Sequence, residues 1–277
     1  MRIESAVLFW NPLGGKNLKE GLLLLALARH AHLSTEKIKN YPEIEKALRK
    51  HLAQGKRLFL ISGGDGTISA FLTAYFRELK PPEIEIAVLP GGTNNLIAWD
   101  VARPFNQLKI FKAFLSHQRP RMLKRKALRI EPGKFFGMFC AAGLLAEGTF
   151  LYNELRKKEG VKGMKNILKV IAKLGKRGLR RELPLLVEPQ SLVYAPETAM
   201  FTTLERLFIP LFPFPKVRNC REIKGGIFPQ KLIPFKTFCT PKVRIHTPAI
   251  ALDGEMIKSS DNVFELTTTK ELTFLKW

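Results

Sequence analysis

Apolar runs and amphipathic segments alternate along the first 115 residues of the chain. Each apolar run has the length of one buried strand, and the segments between them repeat their apolar residues at helical spacing. The pattern predicts strands at residues 5–10, 57–61 and 84–89, and helices at residues 16–30, 43–53 and 68–79. Strands that alternate with helices are typical of a parallel α/β sheet.

A different pattern begins near residue 125, where short apolar runs are broken by proline and glycine. In the segment 242–247, for example, the apolar Val243 and Ile245 alternate with charged residues, as in a half-buried strand. We therefore predict two domains: an α/β domain over residues 1–124 and a β-rich domain over residues 125–277.

Two segments of the second domain are candidates for contact with a membrane. Six lysines between residues 158 and 176 recur at steps of three and four, which predicts a basic amphipathic helix. Such a helix binds an anionic membrane, or it packs on its own domain with a solvated charged face, and the pattern fits both. Residues 201–215 are apolar and interrupted by proline, which fits a loop that dips into a membrane or one that packs in the core.

The charge balance indicates an anionic partner. Lysine and arginine number 46 against 24 aspartates and glutamates, which gives a formal net charge of +22. An excess of this size favours nucleotide phosphates, nucleic acid or an anionic membrane surface as partner. No recognised nucleic-acid-binding motif occurs in the sequence, so no nucleic-acid partner is expected.

The cysteines and the hydropathy bear on localisation. Cys140, Cys220 and Cys239 are widely spaced without a C-x-x-C pair, so we expect neither a disulfide framework nor a zinc site, and a reducing compartment fits best. The N-terminus lacks the features of a signal peptide, and the apolar run 21–28 is too short to span a bilayer. We predict a cytoplasmic protein, or one that binds a membrane peripherally.

Glycine-rich junctions follow three of the predicted parallel strands, at Gly14-Gly15, at Gly63 to Gly66 and at Gly91-Gly92. Open α/β sheets bind ligands at the carboxyl ends of their strands. Glycine allows positive φ angles and lets a phosphate approach the backbone N–H groups, and Thr67 and Thr93 could cap the following helices or bind a phosphate oxygen. A tight turn would explain one such loop, but three at one sheet edge predict a phosphate-binding site.

Asp65 stands inside the second of these junctions. A carboxylate beside a phosphate is unfavourable unless it binds Mg²⁺ that bridges it to the phosphate, or accepts the proton of an attacking hydroxyl. Both roles belong to phosphoryl transfer. An aspartate that only shapes a turn is the alternative.

These motifs resemble a known family. Gly63-Gly64-Asp65-Gly66-Thr67, followed by Pro90-Gly91-Gly92-Thr93-Asn94-Asn95, resembles the catalytic domain of diacylglycerol kinases and of their sphingosine and ceramide kinase relatives. Asn11-Pro12 with Gly15 looks like the first nucleotide-binding loop of that family, the segment 139–143 like the strand that opens its second domain, and Asp253-Gly254-Glu255 like its D-G-E motif.

The resemblance implies a fold and an activity. The fold would be an N-terminal α/β nucleotide-binding domain and a C-terminal β-sandwich-like domain, with the last strand returning to the first domain. The activity would be that of an ATP-dependent lipid kinase with Mg²⁺, which phosphorylates the hydroxyl of a diacylglycerol- or sphingoid-type lipid. Asp65 and Glu255 would be the catalytic acids near Asp253, with Asp65 also a contact of Mg²⁺, and the nucleotide would be bound by Asn11, Gly15, Gly63, Gly64, Gly66, Thr67, Gly92, Thr93 and Asn95.

The chain departs from the family pattern at several acidic positions. Leu96 stands where the second loop of the family often has an aspartate, residues 126–130 contain no acid, Leu144-Leu145 replace Phe-Asp, and no acidic turn occurs around Gly225-Gly226. Two alternatives therefore stay open. One is a catalytically weakened homologue that binds nucleotide or lipid, and the other is a small-molecule kinase similar to NAD kinases, which share the G-G-D-G-T motif.

Overall fold

The structure is a computed structural model, and it describes residues 3–93, 95–102, 106–159, 170, 185–189, 192–206, 217, 219–228 and 236–277. Most of the predicted basic helix 158–176 and residues 207–215 of the predicted apolar segment 201–215 lie outside these residues.

The first domain begins with a short 3₁₀ turn and alternates strands with helices, as predicted. Its strands are β1 (Ala6–Trp10), β2 (Ser34–Lys37), β3 (Leu58–Gly63) and β4 (Glu85–Pro90), and its helices are α1 (Asn17–His30), α2 (Tyr41–Ala53), α3 (Asp65–Arg77), α4 (Leu96–Val101) and α5 (Gln107–Leu115). The strands pair in parallel in the order β2-β1-β3-β4. Strand β2 and helix α5 were not predicted, because β2 is a half-exposed edge strand of polar residues and α5 is only nine residues long.

Local capping explains where two of these helices start. The Oδ1 atom of Asn40 accepts the Glu43 N–H at 3.0 Å, and the Glu43 carboxylate returns to the Lys39 N–H at 2.7 Å, so α2 begins with a reciprocal cap. Asn106 caps α5 in the same manner, because its Oδ1 atom accepts the Lys109 N–H at 3.0 Å.

The described part of the second domain is rich in strands and includes a helix that follows β7 directly. Its elements are β5 (Arg121–Glu131), β6 (Phe135–Gly137), β7 (Phe139–Gly143), α6 (Leu144–Glu159), β8 (Leu186–Pro189), β9 (Thr198–Thr202), β10 (Ile223–Phe228), β11 (Lys236–Thr240), β12 (Lys242–His246), β13 (Ala249–Leu252), β14 (Glu255–Lys258) and β15 (Val263–Lys276). Within the described ranges, six of them form an antiparallel sheet in the order β11-β10-β9-β7-β13-β14. This sheet packs on β5, β12 and β15 across an apolar core, which confirms the sandwich-like second domain.

Strand β15 joins the two domains. It pairs with β5 along most of its length, its first half also pairs with β12 of the second domain, and Thr273 to Leu275 pair in parallel with β4 of the first domain. An irregularity between Thr268 and Glu271 shifts the register against β5, and such bulges bend a strand. Among the described residues, β15 therefore joins the parallel strands of the first domain and the strands β5, β6, β8 and β12 of the second into one continuous sheet, and the six-stranded sheet remains separate.

The structure corrects the expectation for two cysteines. Cys220 and Cys239 form a disulfide, whereas Cys140 is free and buried. The antiparallel pairing of β10 with β11 places Cys239 opposite Lys224, and Cys220 lies three residues before the start of β10, so the two cysteines meet although they are 19 residues apart. The prediction of no disulfide was wrong, and with it the argument for a reducing compartment loses its basis.

The sequence predicts no membrane-spanning segment. Among the helices that the structure describes, none combines the length and the apolar character needed to cross a bilayer.

Because β15 joins the two domains, we expect a substitution in its buried part to lower the stability of the protein strongly. Phe274 is fully buried on β15, opposite Ile86 of β4 and Leu123 of β5. We expect Phe274→Ala to lower the free energy of unfolding by about 3–5 kcal/mol, because it leaves a cavity where the two domains join. Urea unfolding measures the loss.

The matched control is Met122→Ala, because Met122 lies on the neighbouring strand β5 but is 58% exposed. It should change the free energy of unfolding by less than about 0.5 kcal/mol. Equal losses for both variants would contradict the bridging role of β15.

Candidate active site

Three loops meet at the carboxyl ends of β1, β3 and β4. The Asn11 N–H donates to the Ser62 carbonyl, the Gly91 N–H to the Gly63 carbonyl, and the Lys16 N–H to the Gly91 carbonyl, each at 2.9 Å. Each loop is therefore held by backbone hydrogen bonds to its neighbour. The three glycine-rich junctions form one continuous surface, as the sequence predicts for parallel strands.

The loops approach each other so closely that several positions have room only for glycine. A Cβ on Gly92 would lie 2.4 Å from the Gly64 Cα atom, and a Cβ on Gly14 would lie 2.6 Å from the Gly91 carbonyl oxygen. Among the glycines that the structure describes, positive φ occurs at Gly55, Gly133, Gly143 and Gly254, none of which is in these loops. The expected advantage of positive φ therefore does not apply here, and close approach of the backbones is the reason for glycine.

A buried polar network lies behind the loops. The Asn17 amide donates to the Asn11 carbonyl at 2.8 Å and to the Ser62 carbonyl at 3.2 Å. The Ser62 Oγ atom lies 3.0 Å from Asn17 Oδ1 and from Gln107 Oε1, and the Gln107 amide donates to Glu20 at 3.0 Å. Sequence reasoning missed this network. The one available signal was a serine inside the otherwise apolar strand β3.

Asn11 and Thr67 connect the first two loops through their side chains. The Asn11 Nδ2 atom donates to Thr67 Oγ1 at 2.8 Å, and Asn11 Oδ1 accepts the Leu13 N–H at 2.9 Å. Thr67 is buried beneath Gly63, where an added Cβ would lie 2.6 Å from the threonine. These two side chains shape the loops and hold them together.

The third loop is closed by Asn95. Its side chain accepts the Gly92 N–H and donates to the Gly92 carbonyl, both at 2.9 Å, while its backbone has a φ of 52°. Thr93 is exposed beside Gly15, where a Cβ would lie 2.8 Å from the threonine Oγ1 atom. Thr93 thus faces the open side of the loops, whereas the Asn95 side chain serves the loop itself.

Helix α3 begins at this surface. The Thr67 and Ile68 N–H groups bond to the Gly64 carbonyl at 3.0 and 3.2 Å, which closes the first turn. The N–H groups at the very start of a helix have no partner within it, and the positive end of the helix dipole lies there. The first turn of α3 can therefore receive an anion.

Glu255 lies over this first turn. A Cβ on Gly66 would lie 3.0 Å from the Glu255 Oε1 atom, and the Glu255 side chain is exposed. The side chain comes from the start of β14 in the second domain, so residues far apart in the sequence meet here. A carboxylate from one domain thus stands next to a glycine-rich loop of the other.

Asp65 is buried and fully engaged with the backbone. Its Oδ2 atom accepts the Leu96 N–H and its Oδ1 atom accepts the Ile97 N–H, both at 2.9 Å, at the start of α4. Burial raises the pKa of Asp65 to about 6, against the opposing effect of these hydrogen bonds. Leu96, where the family often has an acid, thus contributes its N–H to Asp65.

Asp253 occupies a similar position in the second domain. Its Oδ2 and Oδ1 atoms accept the Met138 and Phe139 N–H groups, both at 2.9 Å, and a Cβ on Gly137 would lie 2.3 Å from Oδ2. Burial, and secondly the nearby charge of Asp65, raise the pKa of Asp253 well above its usual range. Asp253 supports the turn that carries Glu255, and it lies behind the open surface.

The predicted site residues therefore come together, with different exposures. Glu255 and Thr93 face the open side of the loops, whereas Asp65, Asp253, Thr67 and Asn95 are buried. Within the described part of the chain, no three acidic, histidine or cysteine side chains cluster as a metal site would require. The predicted roles of these residues in nucleotide binding and catalysis stay predictions.

The sequence lacks the family's acidic turn around Gly225-Gly226, and the structure has a strand at this position. Both glycines lie inside β10, and a Cβ on Gly225 would lie 2.1 Å from the Phe238 ring. This position is a packed strand that leaves no room for an acidic side chain at Gly225.

Comparison with known proteins identifies the first domain. Residues 5–123 match the family model of the diacylglycerol kinase catalytic domain. These residues belong to the diacylglycerol kinase catalytic-domain family. The matched region contains all three glycine loops, Asp65 and Asn95, whereas Glu255 lies beyond it.

Solved structures extend the likeness to the whole fold. A "putative diacylglycerol kinase" from Bacillus anthracis str. Sterne is 17% identical, with a TM-score of 0.71 over 98% of this chain and 97% of that one. A diacylglycerol kinase structure from the same organism is also 17% identical, with a TM-score of 0.68 over 98% and 96% of the two chains. No match was found among curated proteins. At this identity the structures show a shared two-domain fold.

The buried carboxyls predict an unusual titration. We expect the carboxyl carbon of Asp65, followed by NMR, to titrate with a pKa of about 6, because burial disfavours its charged form. The same carboxyl should return to about 3.9 in urea-unfolded protein. In Asp65→Asn, the pKa of Asp253 should fall, because a neighbouring negative charge is removed.

The same shift affects stability. The folded state binds the Asp65 proton more tightly than the unfolded state does. The protonated carboxyl therefore contributes to the free energy of unfolding fully below about pH 3.9, and this contribution is lost as the pH rises through about 6. Between these pH values the wild type should lose roughly 2–3 kcal/mol relative to Asp65→Asn. A difference between the two proteins that does not change with pH would contradict the raised pKa.

Proposed function

We propose that this protein is an ATP-dependent lipid kinase that phosphorylates the hydroxyl of a diacylglycerol- or sphingoid-type lipid. The observation that carries the proposal is the position of Glu255 over Gly66, at the start of α3 and beside the three glycine loops. The family of residues 5–123 supports a kinase of this class.

The loops supply the nucleotide side of the proposed site. The phosphates of ATP would lie against the half-buried backbone of Gly15, Gly64 and Gly66 and against the exposed Thr93, where helix α3 also directs its dipole. The side chains of Asn11, Thr67 and Asn95 keep these loops in place through the hydrogen bonds described above. In this arrangement the backbone binds the phosphates, and the named side chains mainly position it.

Magnesium fits the proposed site only with help from the nucleotide. Mg²⁺ in kinases is commonly held by one or two carboxylates together with substrate phosphates and water. Asp65 offers oxygens that already accept two backbone N–H groups, and Glu255 offers an exposed carboxylate. When bound, Mg²⁺ would neutralise charge on the phosphates.

The proposed reaction places the base on the second domain. The lipid hydroxyl oxygen forms a bond to the γ-phosphorus of ATP, the bond between this phosphorus and the β–γ bridging oxygen breaks, and ADP leaves. The hydroxyl proton passes to the Glu255 carboxylate, which is exposed and therefore accessible to a substrate. Asp65 is the less accessible acid, and we propose that it positions α4 and the third loop.

A second candidate function is a homologue that binds nucleotide with little or no turnover. It is favoured by the engagement of Asp65, whose two oxygens both accept backbone N–H groups, and by Leu96 at a position where relatives often have an acid. A protein of this kind would keep the phosphate-binding backbone and lack the full set of acidic contacts.

Transfer of labelled phosphate from ATP to diacylglycerol, sphingosine and ceramide in mixed micelles tests the proposal. Glu255→Gln should lower kcat by about 10²–10⁴-fold, because it removes the proton acceptor, with little change in the KM for ATP. The control is Asp261→Asn, an exposed carboxylate in the loop after β14, which should retain the wild-type rate.

Three outcomes would separate the alternatives. A wild-type rate in Glu255→Gln would exclude Glu255 as the base. ATP binding by calorimetry without transfer to any of the lipids would favour the weakened homologue. Formation of NADP when NAD is the acceptor would favour a small-molecule kinase.

A further inference from the structure

Helix α1 turns its smaller residues toward the protein. Its fully buried positions are Asn17, Gly21, Leu24 and Ala28, and Leu25 and Leu27 pack partly buried against the same core. A Cβ on Gly21 would lie 2.7 Å from the Trp10 indole nitrogen, which shows how closely the helix approaches β1. The inward face therefore packs closely on the sheet and uses three of the six leucines of α1, while the other three lie outside this contact.

The opposite side of α1 is apolar and exposed. Leu18, Leu22 and Leu23 are 66%, 76% and 51% exposed, and Leu13 in the preceding loop is 68% exposed. Polar residues normally cover the solvent face of a helix that packs on a sheet. Four exposed leucines within eleven residues of sequence form an unusual apolar surface, which in soluble proteins often marks an interaction site.

Positive charges border this surface. Leu18 and Leu22 are neighbours one turn apart, and Lys19 and Arg29 are exposed on the same side of the helix. The acidic residue of α1, Glu20, accepts a hydrogen bond from Gln107 at 3.0 Å, on the side of α5. We call Leu18, Lys19, Leu22, Leu23, Ala26 and Arg29 the outer face of α1.

Charge decides between two occupants of the outer face. In a symmetric dimer the same surface meets itself, so this basic face of α1 would meet an identical basic face across an interface between two chains of +22 each. An anionic bilayer offers an apolar interior to leucines and negative headgroups to lysine and arginine. The combination of leucines and basic residues therefore fits a lipid surface better than a second copy.

We propose that the outer face of α1, together with Leu13, docks the protein on an anionic lipid bilayer. Leu13 lies two residues after Asn11 and two before Gly15, so docking would bring the first glycine loop close to the bilayer surface. This placement complements the proposed lipid kinase activity, because a lipid acceptor lies in a bilayer. It does not depend on that activity, since binding is measured without nucleotide.

Co-sedimentation with lipid vesicles tests the proposal. The full chain, without ATP, is mixed with vesicles of phosphatidylcholine containing phosphatidylglycerol. The double variant L18Q/L22Q should lower the partition coefficient at least tenfold, about 1.4 kcal/mol. The matched control is Leu79→Gln, because Leu79 is fully exposed outside α1 and should bind as the wild type does.

Two further arms examine charge and position. Wild-type binding should fall at least tenfold on pure phosphatidylcholine vesicles and should weaken with added salt. In Leu22→Cys, labelled with an environment-sensitive dye, emission should shift to the blue on vesicles, whereas the same dye at Leu79→Cys should not respond. The native cysteines do not compete for the dye, since Cys140 is buried and Cys220 is bonded to Cys239.

Several results would overturn the proposal. They are absence of vesicle binding by the wild type, equal binding by L18Q/L22Q and the wild type, and no response of the dye at position 22. Light scattering that shows a wild-type dimer, with monomeric L18Q/L22Q that still binds vesicles, would assign the outer face to a second copy. None of these assays measures phosphoryl transfer. A negative result would therefore overturn the docking surface without deciding whether the protein is a lipid kinase.

Discussion

The close approach of Gly64 and Gly92 is the constraint on which the rest of the site depends. No side chain fits between them, since a Cβ on Gly92 would lie 2.4 Å from the Gly64 Cα atom. With these two loops in contact, the start of α4 falls within reach of the Asp65 carboxylate, which then accepts the Leu96 and Ile97 N–H groups. The lack of space and the buried acid are therefore two parts of one arrangement, in which a negative charge stabilises the helix that the glycines bring close.

Helix α3 transmits this arrangement to the second domain. Its first turn contacts Glu255, and further along its length Ser69 Oγ donates to the Phe136 carbonyl at 2.8 Å while Thr73 Oγ1 accepts the Phe136 N–H at 3.0 Å. The same helix thus follows directly after the second glycine loop and is hydrogen-bonded to strand β6. Strand β15 also runs through both domains. The position of Glu255 relative to Gly66 is therefore fixed by two connections between the domains, the shared strand β15 and the hydrogen bonds between α3 and β6.

Much of this architecture could be predicted from the sequence, because it depends on local patterns. The alternation of apolar runs and helical segments identifies β1, β3 and β4, and parallel pairing of those strands brings the glycine junctions together. The contacts that complete the site are not local: Ser62 meets Asn17 and Gln107 across 45 residues, and Asp253 meets Met138 across 115. Residue pairs so far apart leave no periodic signal in one sequence. The disulfide of Cys220 with Cys239 escaped for the same reason, since it depends on the pairing of β10 with β11.

The burial of Asp65 and Asp253 changes how acidic residues in such a motif should be interpreted. A sequence shows that an aspartate is present but not whether its oxygens face solvent or the backbone. Here both aspartates accept two backbone N–H groups each, and their pKa values are raised because burial disfavours the charge. An acid held in this way at a loop or helix start stabilises the local backbone, because hydrogen bonds from N–H groups to an ionised carboxylate are strong. The exposed Glu255 accepts no such backbone hydrogen bond among the described residues, and its carboxylate is therefore the most accessible of the three acids.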